Sequence, residues 1–137
     1  MQPAMPPAPP PPARRILVVD DSRDTAESFA MLLKTMGHTC EWLTDPLAAV
    51  ETAQRFTPDI VFLDVGMPKL DGCEVATRLR AQCGEQMAIV AITGHGSAED
   101  RVRVRGAGFD AHVMKPVDFA ILESIVATVV GERQFRR

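Results

Sequence analysis

Residues 16–21 read Ile-Leu-Val-Val-Asp-Asp and residues 60–64 read Ile-Val-Phe-Leu-Asp. Each is a short run of branched or aromatic apolar residues closed by a carboxylate. Such a run has no polar alternation, so both of its faces are covered, and it reads as a strand inside a parallel sheet. Ala88–Ile92, closed by Thr93, and Ala111–Met114, closed by Lys115–Pro116, have the same form. Thr39–Leu43 (TCEWL) is less apolar and reads as a strand nearer an edge.

Helical spacing fills the intervals. After Asp21, the apolar residues Ala26, Phe29, Ala30, Leu33 and Met36 recur at helical spacing, and Gly37 supplies a stop. Asp45–Pro46 opens a second helix, with Asp as N-cap and Pro in the first turn, and Leu47, Val50, Ala53 and Phe56 as its apolar face. The turn-rich loop GMPKLDG (66–72) leads into a helix presenting Val75, Ala76 and Leu79. Ser97–Asp100 resembles a capping box and starts a short helix to about Arg105. Asp118 caps a last helix with Leu122, Ile125, Val126 and Val129 in its stripe. Strand and helix alternate five times. Right-handed crossovers then place helices on both faces of a parallel sheet. The expected fold is α/β, a (βα)5 doubly wound five-stranded sheet in the flavodoxin-like order 2-1-3-4-5.

Composition is consistent with one such unit. The chain has 137 residues, 46% hydrophobic and 24% charged, with a net charge of −3. That length excludes a barrel enzyme of about 250 residues and leaves little room for a second full domain. The charge balance favours neither nucleic acid nor an anionic membrane as a partner, and no apolar run reaches the roughly 18 residues of a spanning helix. Seven of the 11 prolines lie in the first twelve residues. Residues 1–13 therefore read as an extended proline-rich tail or linker, 14–131 as the folded domain and 132–137 as a basic C-terminal tail. Cys40, Cys73 and Cys83 are odd in number without metal-like spacing, which suits free thiols in a cytoplasmic protein.

The strand ends carry the chemistry. In an open parallel sheet the ligand crevice lies outside the carboxyl ends of the strands. The residues that terminate four of the five strands here are Asp20–Asp21, Asp64, Thr93 and Lys115. Crowded carboxylates repel unless a cation joins them, and a hard divalent cation such as Mg2+ (or Mn2+) suits oxygen ligands. With an ammonium and a hydroxyl beside them, the set suits phosphoryl transfer to an aspartate. His38, His95 and His112 are too scattered for a metal site. Arg101, Arg103 and Arg105 read as a solvated face.

The motifs LVVDDS, FLDVGMPKLDG, AITGHG and HVMKPVD resemble, in order, the signatures of the response-regulator receiver domain of two-component signalling, over about residues 14–131. The resemblance implies that Asp64 is the phosphoacceptor. It implies that Asp20, Asp21 and Asp64, with the backbone carbonyl of Gly66, bind Mg2+, Asp21 being the more direct ligand of the acidic pair. Thr93 would be the switch hydroxyl and Lys115 the phosphate-binding lysine. Pro68 and Gly72 would shape the loop, and Lys115–Pro116 would be a cis peptide. The implied partner is a sensor histidine kinase or a histidine phosphotransfer protein, with the chain acting as a relay component rather than an enzyme.

One position departs from the family. His112 stands where an aromatic switch ring is usual, either as a smaller ring in that role or as a surface histidine. Gly94 is small, as the family favours, which leaves room for the phosphoryl group; Gly66 is also small and leaves the acyl phosphate open to water, so a modest phosphoryl lifetime is expected. The chain reads either as a stand-alone regulator or as the receiver of a hybrid kinase, with the proline segment as linker. The alternative is a small haloacid-dehalogenase-like phosphatase using the same Asp, Thr, Lys and Mg2+. That family, however, places its nucleophile at the end of the first strand, with a second Asp two residues on. A flavodoxin-like electron carrier is disfavoured because the acidic VVDDSRD would repel a flavin phosphate.

Overall fold

The computed structural model describes residues 13–65, 72–84, 86–94 and 108–135, with side chains to residue 129. The strands are β1 (Arg15–Val19), β2 (Thr39–Leu43), β3 (Ile60–Asp64), β4 (Ala88–Thr93) and β5 (Ala111–Met114). The described helices are α1 (Arg23–Thr35), α2 (Ala49–Phe56), α3 (Gly72–Cys83) and α4 (Phe119–Phe135). All strand pairs are parallel, and the sheet order is β2-β1-β3-β4-β5, the expected doubly wound topology.

Strand periodicity divides the core in two. Leu17, Val19, Val61, Leu63, Ile89 and Ala91 face α2 and α3, where Ala53, Phe56, Val75, Ala76 and Leu79 cover them. Their neighbours Ile16, Val18, Ile60, Phe62, Val90 and Ile92 face α1 and α4, against Ala26, Ala30, Leu33, Leu122 and Val126. Both faces of β3 and β4 are buried throughout, which is why these strands carry no polar alternation. Phe62 is fully buried and meets Phe29 edge to face, with ring centroids 5.1 Å apart.

Helix ends follow local chemistry. Ser22 caps α1, accepting from the Thr25 N–H, and Gly37 takes φ +100° just beyond its C-terminus. Asp118 Oδ1 accepts from the Ile121 N–H at the start of α4. Asp45 accepts from the Leu47 N–H, as a cap should, but Pro46–Ala48 winds as a 3-10 turn before α2 begins. That tighter winding turns Leu47 outward to 63% exposure, so Leu47 is corrected out of the expected apolar face. Ala53 and Phe56 are buried and Val50 packs partly buried against them, with Pro46, Ala49 and Thr52 buried beside them. α4 continues to Phe135, so residues 132–135, read from sequence as tail, are helical. The expected helix from Ser97 to about Arg105 and the proline segment 1–12 lie outside the described residues.

Two buried polar anchors were not read from the sequence. His38 is buried, and its Nδ1 accepts the Arg14 N–H at 2.9 Å. Arg80 reaches from α3 to the Gly84, Met87 and Gly108 carbonyls and to Asp110 Oδ2. Their partners are largely backbone groups, two of them 24 and 28 residues away, which leave no pattern of residue types to read.

Candidate functional site

The carboxyl ends of β1, β3, β4 and β5 deliver Asp20, Asp64, Thr93 and Lys115 to one edge of the sheet. Asp20, Asp64 and Thr93 are each buried to within a few per cent, because apolar strands carry them to the crevice floor. Asp21 is exposed at its mouth. One oxygen from each of Asp20, Asp21 and Asp64 lies within 4.8 Å of the others. Lys115 Nζ stands 3.3 Å from Asp20 Oδ2 and 3.4 Å from Asp64 Oδ2. The backbone holds both sides: Lys115 N–H donates to the Thr93 carbonyl at 2.8 Å, and Val65 N–H to the Ile92 carbonyl at 3.1 Å. The Lys115–Pro116 peptide is cis.

Electrostatics explain the crowding. Burial pushes the Asp20 carboxyl above its ordinary range; the Ser22 N–H at 2.9 Å opposes this, and the Asp64 charge adds to the rise. Burial draws the Lys115 ammonium down, but Asp64 and Asp20 outweigh it and hold it above the ordinary lysine value. Among the described residues, two buried carboxylates and a third at the mouth face the one ammonium of Lys115, so negative charge is in excess there. Hard oxygen donors, partly open to solvent and short of positive charge, fit a divalent cation such as Mg2+.

The loop partner of Asp64 is sterically defined. A Cβ on Gly72 would sit 2.4 Å from Val65 Cα and 3.0 Å from the Asp64 carbonyl oxygen. Glycine therefore lets the start of α3 pack directly beneath the end of β3. Gly94, after Thr93, is exposed, and a Cβ there would meet nothing within 4 Å. His112 is exposed on β5 and takes no part in the carboxylate cluster. Gly66, Pro68 and His95 lie outside the described residues, as do Arg101, Arg103 and Arg105. Cys40, Cys73 and Cys83 are free thiols.

A doubly wound sheet with three aspartates, a threonine and a lysine at its carboxyl edge defines a phosphoacceptor receiver. The response regulator receiver domain family matches residues 16–127, and the chain belongs to that family. Response regulator MprA of Mycobacterium leprae is 40% identical over 114 residues, covering 83% of this chain and 48% of that protein. MprA of Mycobacterium ulcerans is 41% identical over 108 residues, covering 79% of this chain and 45% of that protein. The chain thus spans about half the length of these curated relatives.

Among solved structures, a CheY-like receiver domain protein of Methanospirillum hungatei superposes with TM-score 0.83, at 24% identity over 92% of this chain and all of that one. Chemotaxis protein CheY4 of Vibrio cholerae gives TM-score 0.81 at 25% identity, covering 86% of this chain and 99% of that one. The role that goes with this family is phosphoacceptor signalling. It is a receiver role and not that of a conventional enzyme, and the phosphatase alternative draws no support from these matches. No described helix is long and apolar enough to cross a membrane.

Proposed function

We propose that Asp64 accepts a phosphoryl group from the phosphohistidine of a sensor histidine kinase or histidine phosphotransfer protein, within a cytoplasmic relay. The observation that carries this reading is the Lys115 ammonium placed between the buried Asp20 and Asp64 carboxylates. Asp20, Asp21 and Asp64, with the Gly66 carbonyl, would hold Mg2+ or Mn2+. When bound, the cation neutralises the carboxylates and the phosphoryl oxygens.

An Asp64 oxygen attacks phosphorus as the P–N bond breaks, and the imidazole leaves with that electron pair and is protonated. Lys115 balances charge on the equatorial oxygens, and Thr93, at the end of the neighbouring strand, donates its hydroxyl to one of them. That new bond draws Thr93 inward and biases a two-state equilibrium, with His112 as the ring that turns with it. The domain catalyses its own transfer in this sense. Attack of water on the acyl phosphate later releases inorganic phosphate and restores the carboxylate. The open space beside Gly94 leaves room for the phosphoryl group, and the small Gly66 is the basis for expecting a modest lifetime of that state.

A groove of about 630 Å³ runs from the site along α1, between Asp24, Ser28, Phe29 and Leu32 on one side and Pro116 and Val117 on the other. Its polar end borders Asp20 and Lys115 and its apolar end continues along the helix, which suits the amphipathic helix of a donor protein. Residues 14–131 serve as the working unit, as a stand-alone regulator or as the receiver of a hybrid kinase.

The test is intact mass after incubation with acetyl phosphate and Mg2+. Wild type gains one labile phosphoryl group, and Asp64→Asn gains none. No adduct on wild type, or an adduct that persists in Asp64→Asn, would overturn the assignment.

A further inference from the structure

β5 is a four-residue strand at the sheet edge, and Val113 is its one buried residue. Packing alone holds such a strand weakly, yet it delivers Lys115 to the site. Its far end is fastened with unusual density. Asp110 N–H donates to the Ile89 carbonyl at 2.8 Å, and Asp110 Oδ2 accepts the Ile89 N–H at 2.8 Å. The same oxygen lies 2.5 Å from Arg80 Nη2. Arg80 Nε donates to the Gly108 carbonyl at 3.1 Å, and its Nη1 reaches the Gly84 and Met87 carbonyls. Both side chains are nearly buried, Arg80 at 11% and Asp110 at 7% exposure.

Gly108 makes the arrangement possible. It has φ +95°, and a Cβ there would sit 3.2 Å from Arg80 Cγ, so glycine lets the chain cross the arginine stem. A buried ion pair is poor evidence for stability, since apolar residues of similar volume often serve as well. What the guanidinium adds is direction: a rigid fork that fixes several acceptors at once. Here those acceptors lie on the end of α3, the entry to β4 and the entry to β5.

We propose that Arg80 and Asp110 are positioning residues for Lys115. The β4–β5 ladder is closed at one end by Ile89 and Asp110 and at the other by Thr93 and Lys115. The four residues of β5 lie between Asp110 and Lys115, and five steps of about 3.3 Å each make a short rigid path. Holding the start of β5 therefore sets where the ammonium stands between Asp20 and Asp64. The proposal rests on the reading that Lys115 acts on the transferring phosphoryl group.

A double-mutant cycle tests it, using the whole chain, acetyl phosphate as donor and Mg2+ titrated separately. Arg80→Gln with Asp110→Asn removes both charges, strands neither, and keeps an amide oxygen for the Ile89 N–H. The expected result is Mg2+ affinity within about twofold of wild type and phosphorylation about three- to tenfold slower. In the Lys115→Ala background the same pair of changes is expected to slow the reaction no further. Multiplying effects in the combined variant, a parallel loss of Mg2+ affinity, or a wild-type rate in the paired variant would each overturn the proposal. A wild-type rate in Lys115→Ala alone would instead overturn the reading beneath it. Should the paired variant not fold, Arg80→Lys keeps the charge, loses the fork, and enters the same cycle with the same expected outcomes.

Discussion

Lys115 Nζ stands 3.4 Å from Asp64 Oδ2, and the same ammonium reaches Asp20 Oδ2 at 3.3 Å. It therefore occupies charge that a divalent cation would otherwise take up in full. Lys115→Ala is expected to bind Mg2+ about fivefold more tightly, since a partly exposed charge interaction is worth about 1 kcal/mol. The same variant is expected to be phosphorylated by acetyl phosphate about a hundredfold more slowly, the usual cost of removing one group that stabilises transition-state charge. Calorimetric Mg2+ titration and intact-mass time courses measure the two effects, and weaker Mg2+ binding would refute the competition.

Asp20 is held above the ordinary carboxyl range by burial first and by the Asp64 charge beside it. A carboxyl raised in the folded state binds protons there more readily than in the unfolded chain. The metal-free protein therefore loses stability as pH rises from the unfolded carboxylate value of about 3.9 through the raised folded one. Asp20→Asn removes that penalty and keeps an oxygen for the Ser22 N–H. In chelator at pH 7 this variant is expected to melt a few degrees higher than wild type, about 4 °C per kcal/mol for a domain of this size. With Mg2+ added the order is expected to reverse, because only wild type gains the cation. A lower melting temperature for Asp20→Asn in chelator would contradict the electrostatic account.

The same contrast separates what sequence showed from what it hid. Asp20, Asp64, Thr93 and Lys115 were legible because each closes an apolar strand, and parallel topology gathers those ends at one edge. The core was legible for the same reason, as runs such as Ile60–Leu63 need cover on both faces. Leu47 was misplaced because a helix period was carried through a turn that winds as 3-10. His38 and Arg80 were hidden because they bind carbonyls and N–H groups up to 28 residues away, and a backbone partner has no residue type to betray it.

His38 carries a pH dependence of its own. Burial lowers its proton affinity and the nearby Arg14 charge lowers it further, and its Nδ1 must stay unprotonated to accept the Arg14 N–H. The unfolded chain then binds a proton more readily than the folded one, so this contribution is complete above about pH 6.5 and is lost as pH falls below it. His38→Asn keeps an oxygen near the Nδ1 position and does not titrate. Urea midpoints at pH 7.5 and 5.5 are expected to separate for wild type and to separate less for His38→Asn. His38→Ala, which strands the Arg14 N–H, is expected to cost about 1 kcal/mol at pH 7.5. Equal pH shifts in wild type and His38→Asn would remove His38 from the account.

Gly72 couples the phosphoacceptor strand to the helix beneath it. Its missing side chain would collide with Val65 Cα at 2.4 Å and crowd the Asp64 carbonyl oxygen at 3.0 Å. Both are backbone atoms, so no rotamer change relieves the contact, and either α3 or the end of β3 must move. Overpacking of this kind costs about 1–3 kcal/mol. Gly72→Ala is therefore expected to lower the urea midpoint and, because Val65 follows Asp64 directly, to weaken Mg2+ binding and slow phosphorylation together. Gly94→Ala serves as the control, since its Cβ would enter open space and its stability is expected to stay within about 0.5 kcal/mol of wild type. A Gly72→Ala protein with wild-type stability and wild-type Mg2+ affinity would show that the loop yields without disturbing Asp64.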